Sequence, residues 1–325
     1  MGRFPRCCLA ATGAWLAISG CGSEAPDPET GYGALDGIEA RELPYEPCAA
    51  DQRVGEFTIA LAERYTSVDG QVYDGVVPKD VPTLLAEEGG CRLLSSPAPQ
   101  CNPACLPSSE VCGTDNACLP RPVARDLGTV TVRGLLVPVQ MQANGVTKGY
   151  SNPATPRLPH PGFAPGADLR IFSSGGDYAP IQLRGWGVSL LQGVNNPVAV
   201  RAGEPVLVTW QAPEAAGPAR VHLNLNINHH GSNSEWIECD AADEGSAMIP
   251  AGLVDALLAR GQSGFPTLTA TRRTASSVLI EPGCVELLVS SEITSDVSLD
   301  DFTSCSDASD CAPGQSCRPS ELYCE

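Results

Sequence analysis

Alternation of apolar and polar residues is the strongest pattern in the second half of the chain. Short alternating runs are separated by turns rich in Gly and Pro, which is typical of strands that bury one face. The runs predict strands near 168–173, 181–188, 197–201, 205–211, 220–228, 235–239, 267–273, 277–281 and 284–290. Many short strands of this kind favour a mainly β fold, with a β-sandwich body over 121–300 that is one large sandwich or two adjacent ones.

A change of phase marks one of these strand regions. Residues 129–133 place their apolar side chains at even positions, whereas Val137, Val139 and Met141 are odd. A β-bulge at Gly134 would produce this change, because one extra residue turns every later side chain to the other face.

The segment 48–98 is predicted to be β-rich as well, with strand patterns from about Val54. The sequence Val68-Asp69-Gly70-Gln71-Val72 is typical of a turn between strands, since Asp-Gly tolerates positive φ. Residues 81–88 predict a short helix that ends at Gly89-Gly90. A second helix is expected at 251–260, where Pro250 precedes an apolar stripe and Gly261 follows it.

Two short cysteine-rich segments differ from the rest. Residues 99–120 carry cysteines at 101, 105, 112 and 118, and residues 301–325 carry them at 305, 311, 317 and 324. Each has Pro two positions after its second cysteine, so both are predicted to be copies of one disulfide-rich module. Four cysteines allow three pairings, and the spacing does not choose among them.

The first residues predict export and lipid attachment. Arg3 and Arg6 precede a short apolar run, and 1–20 therefore has the layout of a signal peptide. The sequence Ile18-Ser19-Gly20-Cys21 resembles the bacterial lipobox, which implies that Cys21 is the lipid (palmitate) attachment site. A membrane anchor through Cys21 follows from it. The absence of Asp at position 22 favours the outer membrane, by resemblance to known lipoprotein sorting.

Cysteine count and charge agree with this address. The chain has 15 cysteines, and twelve remain for six disulfides once Cys7, Cys8 and Cys21 are set aside. That density is typical of an oxidising compartment. The twelve are Cys48, Cys91, Cys101, Cys105, Cys112, Cys118, Cys239, Cys284, Cys305, Cys311, Cys317 and Cys324. Bridges Cys48–Cys91 and Cys239–Cys284 are plausible.

Acidic residues outnumber basic ones by 38 to 20, a net charge of −18. Such a balance argues against nucleic acid as a partner. The acidic segment 21–47 has little to bury, so we expect a flexible tether of about 30 Å between the anchor and the body.

The strand at 222–230 carries the main candidate binding face. With a period of two, one face holds His222, Asn224, Asn226, Asn228 and His230, whose side chains offer hydrogen-bond donors and acceptors to a sugar. A plain solvated sheet face shows the same pattern. Trp186, Trp210 and Trp236 are candidates for a sugar-stacking platform. Trp210 ends an apolar strand and is expected in the core, so Trp186, flanked by two glycines, is the better surface candidate.

Signals for metal binding and catalysis are weak. Asp240, Asp243 and Glu244 form an acidic turn without the spacing of a calcium loop, so they are weak metal candidates. The chain has no phosphate loop, metalloprotease motif or nucleophile elbow. No catalytic residue and no cofactor is predicted.

The lipobox, the cysteine-rich segments, Trp236-Ile237-Glu238-Cys239-Asp240 and Gly283-Cys284-Val285 resemble the uncharacterised Cys-rich lipoproteins of myxobacteria and their relatives. The resemblance implies no activity. The leading prediction is an extracytoplasmic envelope lipoprotein with a structural or binding role, for which a glycan or an envelope protein is a candidate partner. The alternatives are a hydrolase with a cryptic site and a calcium- or sugar-binding adhesin.

Overall fold

A computed structural model describes residues 39–96, 99–215, 217–228 and 235–325. The predicted signal 1–20, Cys21, the first part of the 21–47 tether and His230 lie outside the described residues. Within them no helix is long and apolar enough to cross a membrane.

The described residues are mainly β, as predicted. In chain order the strands are β1 Arg53–Leu61, β2 Thr66–Val72, β3 Thr83–Glu88, β4 Cys91–Ser95, β5 Glu110–Cys112, β6 Cys118–Pro120, β7 Val130–Arg133, β8 Val139–Met141, β9 Tyr150–Ser151, β10 Asp168–Ser173, β11 Gln182–Trp186, β12 Val198–Val200, β13 Val206–Thr209, β14 Arg220–Asn226, β15 Glu235–Ala242, β16 Ser246–Ile249, β17 Thr267–Leu279, β18 Cys284–Leu299, β19 Cys317–Arg318 and β20 Tyr323–Cys324. The helix α1 spans Ala251–Leu258, and 3-10 helices span Ala40–Glu42, Pro78–Asp80 and Ala308–Asp310.

One large sheet of ten strands organises the body. Its order is β3-β4-β15-β14-β17-β18-β1-β2-β9, and β12 also pairs with the end of β18. Strands from 48–98 and from 121–300 therefore alternate in the same sheet. A second sheet, β11-β10-β7-β8, and the β13–β16 pair are separate from it.

The long hairpin of β17 and β18 connects two hydrophobic cores on one side of the large sheet. Val285, Leu287 and Val289 of β18 belong to the first core, which also includes residues of β1, β2, β7, β8, β10 and β11. Leu268 and Leu299 belong to the second core, with β14, β15, β13, β16 and α1. The hairpin keeps one register from Thr267–Asp296 to Leu279–Cys284. Both cores thus lie on the same face, and the body is two adjacent sandwiches that share a sheet.

Two predicted elements near the N-terminus are wrong. Residues 66–72 form a continuous strand that pairs with β1. Gly70 lies opposite Phe57, where a Cβ would be 2.1 Å from the ring, so this glycine provides space for Phe57 and does not form a turn. Residues 83–88 form an edge strand that pairs with β4, and this pairing overrides the helix-like spacing of the sequence. The helix α1 is confirmed, two residues shorter than expected.

The phase change at Gly134 has a simpler cause than a bulge. Val130 pairs with Met141 and Val132 pairs with Val139, so β7 and β8 form a hairpin and Gly134, with φ +88°, begins its loop. Directly opposed residues of an antiparallel pair point to the same face. The loop length alone moves the buried positions from even to odd.

Six disulfides use the twelve predicted cysteines, but the two body bridges differ from the expected ones. Cys48 bonds Cys284 and Cys91 bonds Cys239. The second pair lies directly opposite in β4 and β15, with Cα atoms 4.1 Å apart. Both small modules share one connectivity, first to third and second to fourth: Cys101–Cys112, Cys105–Cys118, Cys305–Cys317 and Cys311–Cys324.

Candidate functional site

The face of the large sheet opposite the two cores is polar, and we call it the outer face. Alternation along β14 buries Val221, Leu223 and Leu225 and turns the even positions outward. The pairing of β15, β14, β17 and β18 places the outward residues in rows. From β15 to β18 these rows are Asp240-His222-Thr271-Glu292, Glu238-Asn224-Thr269-Thr294 and Trp236-Asn226-Thr267-Asp296.

A groove runs along this face. One cavity of about 790 Å³ is bordered by Trp236, Glu238 and His222, and another of about 510 Å³ lies over β1 and β2. The two cavities share Ala50 and Arg53 as lining residues. They therefore form one depression, which we call the outer groove, and each part has the volume of a ligand site.

Glu238 is the centre of a hydrogen-bonded cluster at one end of the groove. Its Oε1 accepts a hydrogen bond of 2.8 Å from the Trp236 indole, and its Oε2 lies 3.5 Å from His222 Nε2 and 3.4 Å from Arg92. Burial alone would raise the pKa of Glu238, but the bonds from His222 and Trp236 and the nearby positive charges outweigh it and lower the pKa to about 2. The carboxylate is thus held ionised.

Glu286 lies toward the other end of the groove and behaves in the opposite way. Its side chain is 3% exposed, accepts a hydrogen bond from the backbone N–H of Cys48 and lies 3.5 Å from Arg53. Burial dominates these contacts and raises the pKa of Glu286 above its ordinary value.

The segment 43–50 borders the outer groove. The backbone N–H of Glu46 bonds the Ala275 carbonyl, on the part of β17 that β14 does not reach. Tyr45 receives a hydrogen bond from Arg273 at 2.9 Å, and its ring lies against Arg220, which in turn pairs with Asp240. The Cys48–Cys284 disulfide ties the segment to β18.

The predicted binding residues are only partly brought together. His222, Asn224 and Asn226 share the outer face, as the alternation requires. Asn228 lies beyond β14, where its backbone N–H bonds Asn226 and its side chain accepts a hydrogen bond from Ser263. His230 lies outside the described residues.

Trp186 is separate from this face. It lines two cavities together with Ser189 and Arg272, and neither cavity includes His222. The alternation of β11 could not predict how far Trp186 lies from the outer face of β14, because β11 and β14 belong to different sheets and the distance depends on how those sheets pack.

Two of the three predicted acidic metal candidates are engaged by protein side chains, and the third, Glu244, is exposed. Asp240 accepts a hydrogen bond from Arg220 at 3.0 Å, and Asp243 accepts from Arg272 and from the Trp210 indole. Each group of potential metal ligands that is close together in the described chain contains cysteines, which are all in disulfides.

Two arrangements bear on the hydrolase alternative. Glu238 lies in the same row as Thr269 of β17, and Glu286 lies in the same row as Ser277. The two rows are eight residues apart along β17, which at 3.3 Å per residue separates the two carboxyl groups by roughly 26 Å. Glycosidase carboxyls stand about 5 to 9.5 Å apart. His160 Nδ1 lies 3.4 Å from the buried Thr66 hydroxyl, and among the described residues no carboxylate pairs with His160. Neither arrangement forms a catalytic group.

The sequence identified Trp236 as a stacking candidate but not its neighbours Glu238 on β15 and Arg92 on β4. Both lie beside His222 in the groove and contribute to its charge. A signal was present, because a buried Cys239 implies that positions 236, 238 and 240 face outward.

The six disulfides place the protein in an oxidising, extracytoplasmic compartment. No protein-family model and no curated protein matches the chain. Among solved structures, the chain is similar to the FN1–FN3 domains of chicken CNTN1, with 7% identity over 70% of each chain and a TM-score of 0.19. Values this low carry no argument about fold or function.

Proposed function

We propose that the protein is a lipid-anchored binding protein of the cell envelope that holds an extended glycan in its outer groove. The observation that carries this proposal is the continuity of the groove, which crosses the outer face from Trp236 on β15 to Asp69 on β2. A depression of this length and openness fits a linear polymer better than a compact small molecule.

The chemistry of the groove favours a neutral, hydroxylated chain. Carboxyl groups outnumber cations along its walls, which disfavours an acidic polymer. The cations are Arg53, Lys79, Arg92 and Arg273, and the acids are Glu56, Asp69, Asp80, Glu87, Glu238, Asp240 and Glu286. Beside the groove, on the same outer face, short polar side chains such as Asn224, Thr269 and Thr294 provide further donors and acceptors. Trp236 adds an aromatic surface whose position is fixed by its bond to Glu238.

The anchor belongs to the same proposal. The lipobox at 18–21 and the resemblance to envelope lipoproteins support acylation of Cys21, with the outer membrane as its site. The six disulfides agree with export. On the native chain, mass spectrometry should find acyl mass on Cys21. A Cys21→Ala chain that keeps acyl mass and still partitions into detergent would contradict the anchor.

Glycan binding is tested with the native lipidated chain in detergent. We expect hits on an array of linear bacterial cell-surface glycans, and calorimetry on a series of two to eight sugar units should show affinity that rises with length. His222→Ala combined with Asn224→Ala should weaken binding about tenfold, the equivalent of 1.4 kcal/mol. Leu207→Ala, on an exposed position of β13, is the matched control and should leave affinity unchanged. An array without hits, or an unchanged affinity in the double variant, would overturn the proposal.

A further inference from the structure

A second cleft lies on the other side of the large sheet, at the boundary between the two cores. Even positions of β17 face inward; Leu268 and Ala270 join the second core and Val278 packs on the first. Arg272 and Thr274 lie between them and interrupt the apolar surface. Ligand sites occur preferentially at such boundaries between packed units. We call this depression the Trp186 cleft.

Trp186 stands between two adjoining cavities of about 470 and 380 Å³. Gly217 packs against the indole so closely that a Cβ would lie 2.5 Å from its benzo ring, although the backbone of Gly217 does not require glycine. Gly217 is therefore needed because a larger residue would clash with the Trp186 ring. The backbone carbonyl of Trp186 accepts a hydrogen bond of 3.0 Å from Thr274, which fixes the residue to β17.

The indole N–H of Trp186 distinguishes it from the other two tryptophans of the described chain. Trp210 donates to Asp243 and Trp236 donates to Glu238, each at 2.8 Å. Trp186 Nε1 has no hydrogen bond to another described residue, and the atom is not buried. This donor is accessible from the cleft.

The cleft is preformed because one buried guanidinium holds its walls. Arg272 is 2% exposed and uses all its donors. It bonds Asp243 at 2.6 and 3.0 Å, the Gln211 carbonyl at 2.7 Å, Ser189 at 3.0 Å and the Leu190 carbonyl at 2.9 Å. Three separate loops are thereby fixed to β17. A site that is already ordered loses less entropy when a ligand binds.

The rim provides polar groups that the fold leaves unused. No hydrogen bond between described residues engages the side-chain amides of Gln192 and Gln211 or the carboxylate of Glu214, and all three residues are exposed. Pro165, Pro213 and Leu190 complete the wall with apolar surface. One aromatic face, several amide and carboxylate groups, and a paired charge below them match the two sides of a sugar ring, which are apolar C–H groups and peripheral hydroxyls.

We propose that the Trp186 cleft binds a single sugar ring. The ring stacks on the indole, the Trp186 N–H donates to one ring oxygen or hydroxyl, and Gln192, Gln211 and Glu214 bond the hydroxyls at the edge. The cleft is confined to the surroundings of Trp186, whereas the outer groove extends across several strands. This proposal does not rest on glycan binding by the outer groove, since the two depressions have no lining residue in common.

The test is a titration of the native chain in detergent with free hexoses and N-acetylhexosamines, in which binding is measured by tryptophan fluorescence and NMR. We expect saturable binding of at least one of these sugars. Trp186→Ala should weaken it about tenfold or more through the lost stacking. Trp186→Phe keeps an aromatic face without the N–H, so its affinity for the sugar should lie between those of the native chain and of Trp186→Ala. Trp236→Phe, in the outer groove, is the matched control and should bind as the native chain does.

A folding defect in Trp186→Ala is separated from a binding defect by a second variant. Gln192→Ala combined with Gln211→Ala changes only exposed rim side chains and should also weaken binding without a change in circular dichroism. The absence of saturable binding by every sugar tested, or equal binding by the rim variant and the native chain, would overturn the proposal. If a variant of the cleft loses monosaccharide binding but still binds the polymer, the cleft proposal is supported and the proposal for the outer groove also stands.

Discussion

The outer groove and the Trp186 cleft lie on opposite faces of the same sheet, yet they are stabilised in different ways. In the groove, charges pair at the surface: Arg92 is 53% and Glu238 is 20% exposed, 3.4 Å apart. Beneath the cleft, Arg272 and Asp243 are 2% and 6% exposed, with 2.6 Å between Nε and Oδ2. The groove depends on many partly solvated contacts, and the cleft depends on one enclosed pair.

This difference indicates how each site tolerates change. Partly exposed ion pairs are screened by water and contribute little individually, so the groove should lose function gradually as its residues are replaced. A buried charge whose partner is removed is left without solvation, so the cleft should fail abruptly. The contrast also suits an extended, variable ligand in the groove and one specific ring in the cleft.

The largest expected effect comes from Arg272→Leu. The substitution leaves the Asp243 carboxylate buried, with the Trp210 indole as its remaining side-chain donor among the described residues. It also releases the loops that contain Ser189 and Gln211 from β17. We expect the free energy of unfolding to fall by about 3 to 5 kcal/mol. Urea denaturation followed by circular dichroism measures it.

Arg201→Leu is the matched control for this change. Arg201 is 52% exposed and lies 3.8 Å from Glu204 and 3.5 Å from Asp300. Its replacement should shift the free energy of unfolding by no more than about 0.5 kcal/mol. Equal losses in the two variants would mean that the enclosed pair is no more important than a surface pair, and the comparison between cleft and groove would be wrong.

A smaller effect is expected from Glu238 in the groove, and it depends on pH. The pKa of Glu238 is lowered from 4.5 to about 2 in the folded chain. A depressed pKa means that the folded state favours the ionised form, so its contribution is complete above pH 4.5 and is lost as pH falls toward 2. Because water screens this partly exposed cluster, we expect its contribution to be smaller than that of the enclosed Arg272–Asp243 pair.

Glu238→Gln removes this titration. We expect the free energy difference between the native chain and the variant to shrink as pH falls from 4.5 to 2, measured by chemical denaturation at each pH. Glu244→Gln, which replaces an exposed carboxyl, should keep the full acid-dependent loss of the native chain. A difference that stays constant across this range would show that Glu238 is stabilised by neutral hydrogen bonds alone.

Much of the strand pattern was predictable from the sequence, and the deviations have local causes. The strand at 168–173 is observed with the predicted bounds, and its first four residues alternate, with Leu169 and Ile171 buried in one core. The predicted strands 267–273 and 277–281 are one strand, β17. The apolar positions are interrupted at Arg272 and Thr274, which are polar although they are buried, where the strand leaves the second core and passes under the Trp186 cleft.

The candidate sites were less predictable, since they depend on contacts between distant segments. Alternation places Arg272 on the inner face with Leu268 and Ala270, and Arg273 on the outer face, but it does not indicate that an arginine at this position is enclosed. Only the packing of loops from 189–190, 211 and 243 encloses Arg272. The exchange of partners among Cys48, Cys91, Cys239 and Cys284 has the same origin, because strand order determines which cysteines meet.

The smallest effect is expected at Glu286, and its sign is opposite to that of Glu238. Because burial raises the pKa of Glu286, the folded state disfavours its carboxylate, and stability present at low pH is lost as pH rises through the folded pKa. In Glu286→Gln, the amide oxygen still accepts the Cys48 N–H without a charge. We expect this variant to be more stable than the native chain at neutral pH, with an advantage that disappears in acid. Thermal denaturation at several pH values measures the trend. A variant that is less stable at neutral pH would show that the 3.5 Å contact with Arg53 outweighs the cost of burial, and the groove would then resemble the cleft in depending on an enclosed ion pair.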